Sequence, residues 1–279
     1  MPPARVLLYV ATIGAIALVA RSLWLGPPPL LLACVALAAY VALVTCGVLF
    51  LGLGMFADVV TRGPDDSGAV ALTFDDGPSP EHTPQILTLL DSARIKATFF
   101  VIGRKAEAHP QIIRAIKARG HAIGLHSYAH HRLFSLRSLR YVRADLERGR
   151  KAIEAITGEP PILFRPPIGH MSPRIAKAVD ELGLIVVGWS IRALDGIAGA
   201  RPTEVAERVT SRLEPGAIVL LHDAAERDDR TPASVEALPA ILEAMKREGL
   251  KGVRVDAWAL ADEAEEARGG DNDGDRPKA

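Results

Sequence analysis

From Leu30 to Phe56 the chain runs for 27 residues without a charge. At about 1.5 Å per residue this exceeds the roughly 30 Å hydrocarbon core of a bilayer, so the stretch reads as a membrane span. A second uncharged run, residues 6–20, is shorter. It crosses if Arg21 snorkels and Leu23 to Leu25 carry the helix to the far interface, with Trp24 as anchor. A signal peptide is the alternative, but only Arg5 charges the start, and a longer apolar segment follows the break at Pro27–Pro29 at once. Residues 1–56 are therefore expected to form a two-helix transmembrane hairpin, with helices at about 6–25 and 30–53. A hairpin puts Met1 and everything after Phe56 on one side. Arg5 and Arg21 are the only charged residues before Asp58, one toward each end of the first helix, so the positive-inside rule barely chooses that side. Cys34 and Cys46 both fall inside the second span and are silent about redox compartment.

Beyond the hairpin, all but two of the 33 basic residues stand against all 33 acidic ones. A net charge near −2 gives no pull toward nucleic acid. Residues 57–68 read as a linker, residues 69–262 as one folded domain, and residues 263–279, ending "GGDNDGDRPKA", as a polar tail with too little apolar content to pack. Within the domain, short apolar runs at 70–74, 97–103, 121–125, 162–164, 184–189, 217–221 and 252–255 read as strands. The segments between them read as helices, with Thr83–Pro84 at one start and Gly120, Gly158 and Gly183 at three ends. Val235, Leu238, Ile241, Leu242 and Met245 form one helical stripe. Seven β-α units in succession predict an α/β fold with a parallel sheet, and a run of this length predicts a barrel, closed or incomplete.

In such folds chemistry sits at the carboxyl ends of the strands. There the sequence reads "TFDDGP" with Asp75 and Asp76, "HSYAHH" with His126 and His130, "RPPIGH" with Arg165 and His170, and "LLHD" with His222 and Asp223. Asp-Gly-Pro alone is ordinary turn chemistry. Two histidines four apart face one way on a helical turn, and alone they are more often a solvated face than a ligand set. Brought beside a carboxylate from the first strand, they make a three-ligand set that leaves a position for water, as in catalytic zinc sites.

These four motifs, in this order, resemble the metal-dependent polysaccharide deacetylases of carbohydrate esterase family four, the NodB homology domain, over about residues 70–255. The resemblance implies a deformed (β/α) barrel and one divalent metal ion, zinc or another such as cobalt, held by Asp76, His126 and His130. It implies Asp75 as general base, His222 as general acid, Arg165 as the residue that orients the base, and Asp195 as the partner that raises the pKa of His222. A backbone N–H near Ile168 would help hold the oxyanion. The family often reads Asp-x-x-Asp-Trp where this chain has "RALDG", giving Arg192, Asp195 and Gly196. The missing tryptophan leaves Leu220 and Trp189 as acyl-pocket walls and predicts a roomier pocket.

Two functions from different classes follow. One is a membrane-tethered hydrolase removing N-acetyl groups from a cell-surface or cell-wall glycan, or from a lipid-linked amino sugar. The other is a catalytically inactive carbohydrate-binding protein on the same fold. The implied substrates place the domain on the extracytoplasmic side of the cytoplasmic membrane. His82, His109, His121, His131 and His170 are read as surface or structural, and Arg132, Arg137, Arg140 and Arg143 as a solvated helix face rather than a lipid-phosphate site, because Asp145 and Glu147 follow.

Overall fold

A computed structural model of the chain describes residues 1–227 and 230–260; the expected polar tail lies outside the described residues. Two apolar helices open it, α1 (Pro3–Leu25) and α2 (Leu30–Leu49), separated where Gly26 and the following prolines cannot continue a helix. Each is long and apolar enough to cross a membrane. They pack side by side, joined by Thr12 Oγ1 and Tyr40 Oη at 3.0 Å. Arg5 at the base of α1 donates to the Gly54 carbonyl and pairs with Asp58 at 2.9 Å, so both ends of the hairpin meet on one side.

The rest alternates strand and helix: β1 (Ala69–Asp75), α3 (Thr83–Ala93), β2 (Thr98–Val101), α4 (Gly103–Ala108), α5 (Pro110–Ala118), β3 (Ala122–Leu125), α6 (Leu139–Thr157), β4 (Leu163–Phe164), α7 (Pro173–Glu181), β5 (Ile185–Val186), β6 (Ile191–Arg192), α8 (Pro202–Thr210), β7 (Ile218–His222), α9 (Ser234–Arg247) and β8 (Lys251–Gly252). Seven strands form a parallel path in the order β5-β4-β3-β2-β1-β7-β6, as a deformed barrel requires, and β8 pairs with the first two residues of β1. β1 is buried along its whole length. Helices cover the sheet with the stripes expected of them: Ile86, Leu87 and Leu90 on α3, and Val235, Leu238, Ile241, Leu242 and Met245 on α9. Each such buried side chain contributes roughly 1.5–3 kcal/mol.

The structure corrects the sequence reading at two connected places. Residues 184–189 were expected as one strand, but the segment changes neighbours: Val187 N–H still bonds the Phe164 carbonyl of β4, while Ser190 N–H bonds Ile218 of β7. No helix intervenes between β5 and β6, so the two ends of the sheet meet through four residues and the outer face there lacks its helix. Residues 51–62 cover that face. Val60 pairs with Val187, Arg62 with Ala217, and Leu51 and Met55 are buried. Residues 57–62, expected as part of a linker, thus lie against the sheet at the β5–β6 junction.

Candidate active site

The motifs converge at the carboxyl ends of the strands, in a pocket of about 310 Å³. β1 and β7 lie in register with Asp75 opposite His222, which sets the spacing between the first and last motifs. Asp76 follows with a left-handed backbone (φ 72°), so its carboxylate turns away from that of its neighbour toward the histidines. Its Oδ1 lies 3.1 Å from His130 Nε2 and 3.5 Å from His126 Nε2, and these two nitrogens are 3.2 Å apart.

His126 Nδ1 lies 2.8 Å from the Arg165 carbonyl. A carbonyl only accepts, so the ring proton sits on Nδ1 and the Nε2 lone pair faces Asp76 and His130. Burial lowers both imidazoles to about 3, so they are neutral. Burial also pushes Asp76 up to about 7, and its inward Oδ1 has no hydrogen-bond partner among the described residues. Two imidazole nitrogens and a carboxylate oxygen crowded together this closely, with Asp76 Oδ1 unpartnered among the described residues, form an expensive arrangement for a protein alone, and they fit a divalent cation. His130 Nδ1 faces Glu226 Oε1 at 3.7 Å without a hydrogen bond.

The two histidines do not share a helical turn, contrary to expectation. Ser127 and His130 both have left-handed backbones, and the loop is closed by Ser127 Oγ accepting from His130 N–H. Asp145 of α6 then accepts from the N–H groups of Tyr128 and Ala129 at 2.7 and 3.1 Å. Asp145 was assigned to a solvated face, yet it is buried with Val142, Leu146 and Gly149 on the inner stripe of α6. That spacing was its one sequence signal.

Asp75 is held differently. Arg165, fully buried, donates through Nη1 to Asp75 Oδ1 at 2.7 Å and to Thr73 Oγ1 at 2.8 Å, and through Nε and Nη2 to the carbonyls of Val187 and Gly188. Burial raises the pKa of Asp75, while Arg165 and then His222 pull it back. Across the pocket, Asp195 accepts from the His222 backbone N–H at 2.7 Å and lies 2.9 Å from its Nδ1. Burial opposes a charge on this imidazole, but Asp195, then Asp76 and Asp75, outweigh it and lift His222 to about 10.

Ile168 and Leu220 line the pocket beside Trp189, and Ile168 adopts a left-handed backbone (φ 52°). At Gly196, a Cβ would stand 3.1 Å from the His222 ring, so the close approach there favours glycine; Leu194 and Ile197, which the sequence reading missed, also line the pocket, as do Arg192, Arg230 and Glu226. None of His82, His109, His121, His131 and His170 lines the pocket. His82 is buried between Ser79 Oγ and Thr231 Oγ1, and His121 accepts from the Ala97 N–H.

The family profile described as "Polysaccharide deacetylase" matches residues 62–187. The chain is similar to a peptidoglycan-N-acetylglucosamine deacetylase of Bacillus cereus, at 36% identity over 69% of this chain and 88% of the relative. It is also similar to a chitooligosaccharide deacetylase of Sinorhizobium fredii, at 34% over 68% and 91%. Among solved structures, a peptidoglycan N-acetylglucosamine deacetylase superposes with a TM-score of 0.66 at 32% identity, covering 72% of this chain and 92% of that one. A pseudoenzyme of carbohydrate esterase family four from Bacillus anthracis superposes at 0.65 and 27% identity, covering 74% and 71%.

Proposed function

Because the chain belongs to the polysaccharide deacetylase family, hydrolases acting on carbon–nitrogen bonds other than peptide bonds, we propose that it removes N-acetyl groups from amino sugars of a cell-wall or cell-surface glycan close to the membrane. The observation that carries this reading is the division between adjacent carboxylates: Arg165 holds Asp75, while Asp76 Oδ1 is left to two neutral imidazoles. Asp76, His126 and His130 would hold one divalent cation, zinc being the first candidate by donor set. When bound, that ion acidifies a water and polarises the acyl oxygen. Asp75 is the base that takes the water's proton, and burial strengthens it as a base by raising its pKa, against the opposing pull of Arg165. The water oxygen adds to the acyl carbon, the carbon–nitrogen bond breaks, and His222 delivers a proton to the departing nitrogen, giving acetate and a free amine. The Ile168 N–H supports the developing oxyanion, and Leu220 and Trp189 wall the acetyl methyl.

A decayed, carbohydrate-binding role is the reading from another class, and the pseudoenzyme neighbour is a case where this fold is described as one. It is disfavoured because base, ligand set, acid and the partners of each stand together here. Where the family often has tryptophan this chain has Gly196, so the acyl pocket should be roomier than in those relatives. The test is product analysis on N-formyl, N-acetyl and N-propionyl chitooligosaccharides and on peptidoglycan. Equal release of acid and amine supports deacylation, strict rejection of propionyl refutes the wide pocket, and carbohydrate binding without release favours the inactive reading.

The apolar hairpin supports a retained membrane anchor, and the glycans that the relatives act on place the catalytic domain on the extracytoplasmic side. A lipid-linked amino sugar is the alternative substrate.

A further inference from the structure

We infer that one flank of the active-site rim rests on the lipid surface, so that the pocket mouth opens at the level of the phospholipid headgroups. This rests on the reading that α1 and α2 span a bilayer. The Met171 N–H bonds the carbonyl of Val48, the penultimate residue of α2, at 3.1 Å, and Met171 is buried. The loop carrying Ile168 is therefore fastened to the last turn of the span and cannot swing away on a tether. Val48 lies within one helical turn of the point where the chain leaves the apolar helix, which fixes the height of that loop.

From Met171 the chain enters α7, where Ala176, Lys177, Val179 and Asp180 form one wall of a cleft whose other wall is the base of the hairpin. Arg174 donates from α7 to the Leu136 carbonyl, so Leu136 stands within one arginine's reach of the helix that flanks the membrane-proximal base. Around it Leu133, Leu136, Tyr141 and Ile168 are all exposed, and so are Leu49, Phe50 and Leu53 at the hairpin base.

Single exposed leucines need no explanation, but these lie along one flank beside a membrane helix. Cations accompany them. Arg132 and Arg143 are paired with Glu226 and Glu181, whereas Arg137, Arg140, Arg174 and Lys177 have no ion pair among the described residues. Of the two acidic neighbours expected to offset this run, Asp145 is turned inward to the Tyr128 and Ala129 N–H groups, and only Glu147, half-buried on α6, remains. Apolar side chains interleaved with cations that have no carboxylate partner, Arg137 resting on His131 and the Tyr141 ring and Arg174 on the Leu136 carbonyl, fit an anionic lipid surface, with the leucines entering the acyl boundary and the cations meeting phosphates. A sugar carried at the membrane surface then reaches the pocket without leaving it.

The test uses the full-length protein with Cys34→Ala and Cys46→Ala, reconstituted in vesicles containing phosphatidylglycerol and carrying a nitroxide label at Leu136→Cys. Reference labels are Val41→Cys in α2 and Glu243→Cys on the exposed face of α9. Collision with oxygen against a water-soluble nickel chelate reports immersion. A Leu136 label reached by oxygen and shielded from nickel, with the Glu243 label open to nickel, supports docking. If the Leu136 label is as open to nickel as Glu243 while Val41 is shielded, docking is wrong and the span stands. A Val41 label open to nickel refutes the span itself. A Leu136 label shielded from both reagents regardless of lipid assigns the patch to a protein partner and overturns the proposal. Independently, Leu133→Asp with Leu136→Asp should slow turnover of a vesicle-embedded acetylated glycolipid roughly tenfold or more while leaving a soluble chitooligosaccharide unaffected. An unchanged rate on the glycolipid, or the same loss on both substrates, would overturn docking.

Discussion

Replacing Asp195 with Asn tests how the acid is tuned. Burial disfavours charge on His222, yet Asp195, hydrogen-bonded to both its backbone N–H and Nδ1, leads the groups that lift it from 6.5 to about 10. Asn keeps the size and an acceptor for the backbone N–H but removes the charge, leaving burial to dominate. The pKa of His222 should then fall by at least about two units, toward or below its ordinary value. The sign follows from the role. The acid must be protonated to serve the leaving nitrogen, so competence persists below the folded pKa and is lost as pH rises through it. A lowered pKa therefore moves the alkaline limb of the rate profile to lower pH. Because a dication held by Asp76 would depress the value, the direct assay is an NMR titration of the His222 ring in the metal-free protein. Its kinetic companion is the pH profile of acetate release, where kcat above neutrality should drop about 10²-fold. An unchanged ring pKa and an unchanged alkaline limb in Asp195→Asn would refute both the pairing and the role.

Three further outcomes follow. Asp75→Asn should abolish turnover while keeping metal affinity, whereas Asp76→Asn should lose both; equal metal loss by calorimetry would overturn the division of labour. Asp145→Ala orphans two N–H groups of the loop between the histidines, and should weaken metal binding tenfold to hundredfold, with Asp145→Asn less damaging. Leu51→Ala should cost roughly 2–5 kcal/mol in thermal unfolding of the full-length protein, while exposed Leu136→Ala changes stability by less than about 0.5 kcal/mol; similar shifts would mean that residues 51–62 do not cover that face of the sheet.

Much of the site was legible because it is written in short local motifs. Asp75–Asp76, His126–His130 and His222 sit at strand ends, and the alternation of apolar runs and helices was enough to bring those ends together. What escaped depends on contacts far apart in sequence. Asp145 caps a loop 16 and 17 residues away, and its charge made it look solvated although its position on the α6 stripe faced inward. The break at Gly188 is invisible to a strand pattern, because Val187 and Ser190 differ only in which neighbour they bond. Residues 57–68 looked like a linker because their composition is polar, while their role comes from the missing helix between β5 and β6. The turn at His126–His130 was read as helical from spacing alone, and two left-handed residues reach the same convergence by another path.

The central claim is that Asp76, His126 and His130 hold a single metal without which Asp75 and His222 cannot act. It is met most directly by stripping the purified full-length protein with a chelator, adding zinc or cobalt in measured amounts, and recording acetate release from chitooligosaccharide beside metal bound per chain. The stripped protein should release nothing, with recovery that saturates at about one ion per chain and no recovery in Asp76→Asn. Full activity in the stripped protein, or recovery that is unaffected by Asp76→Asn, would contradict it.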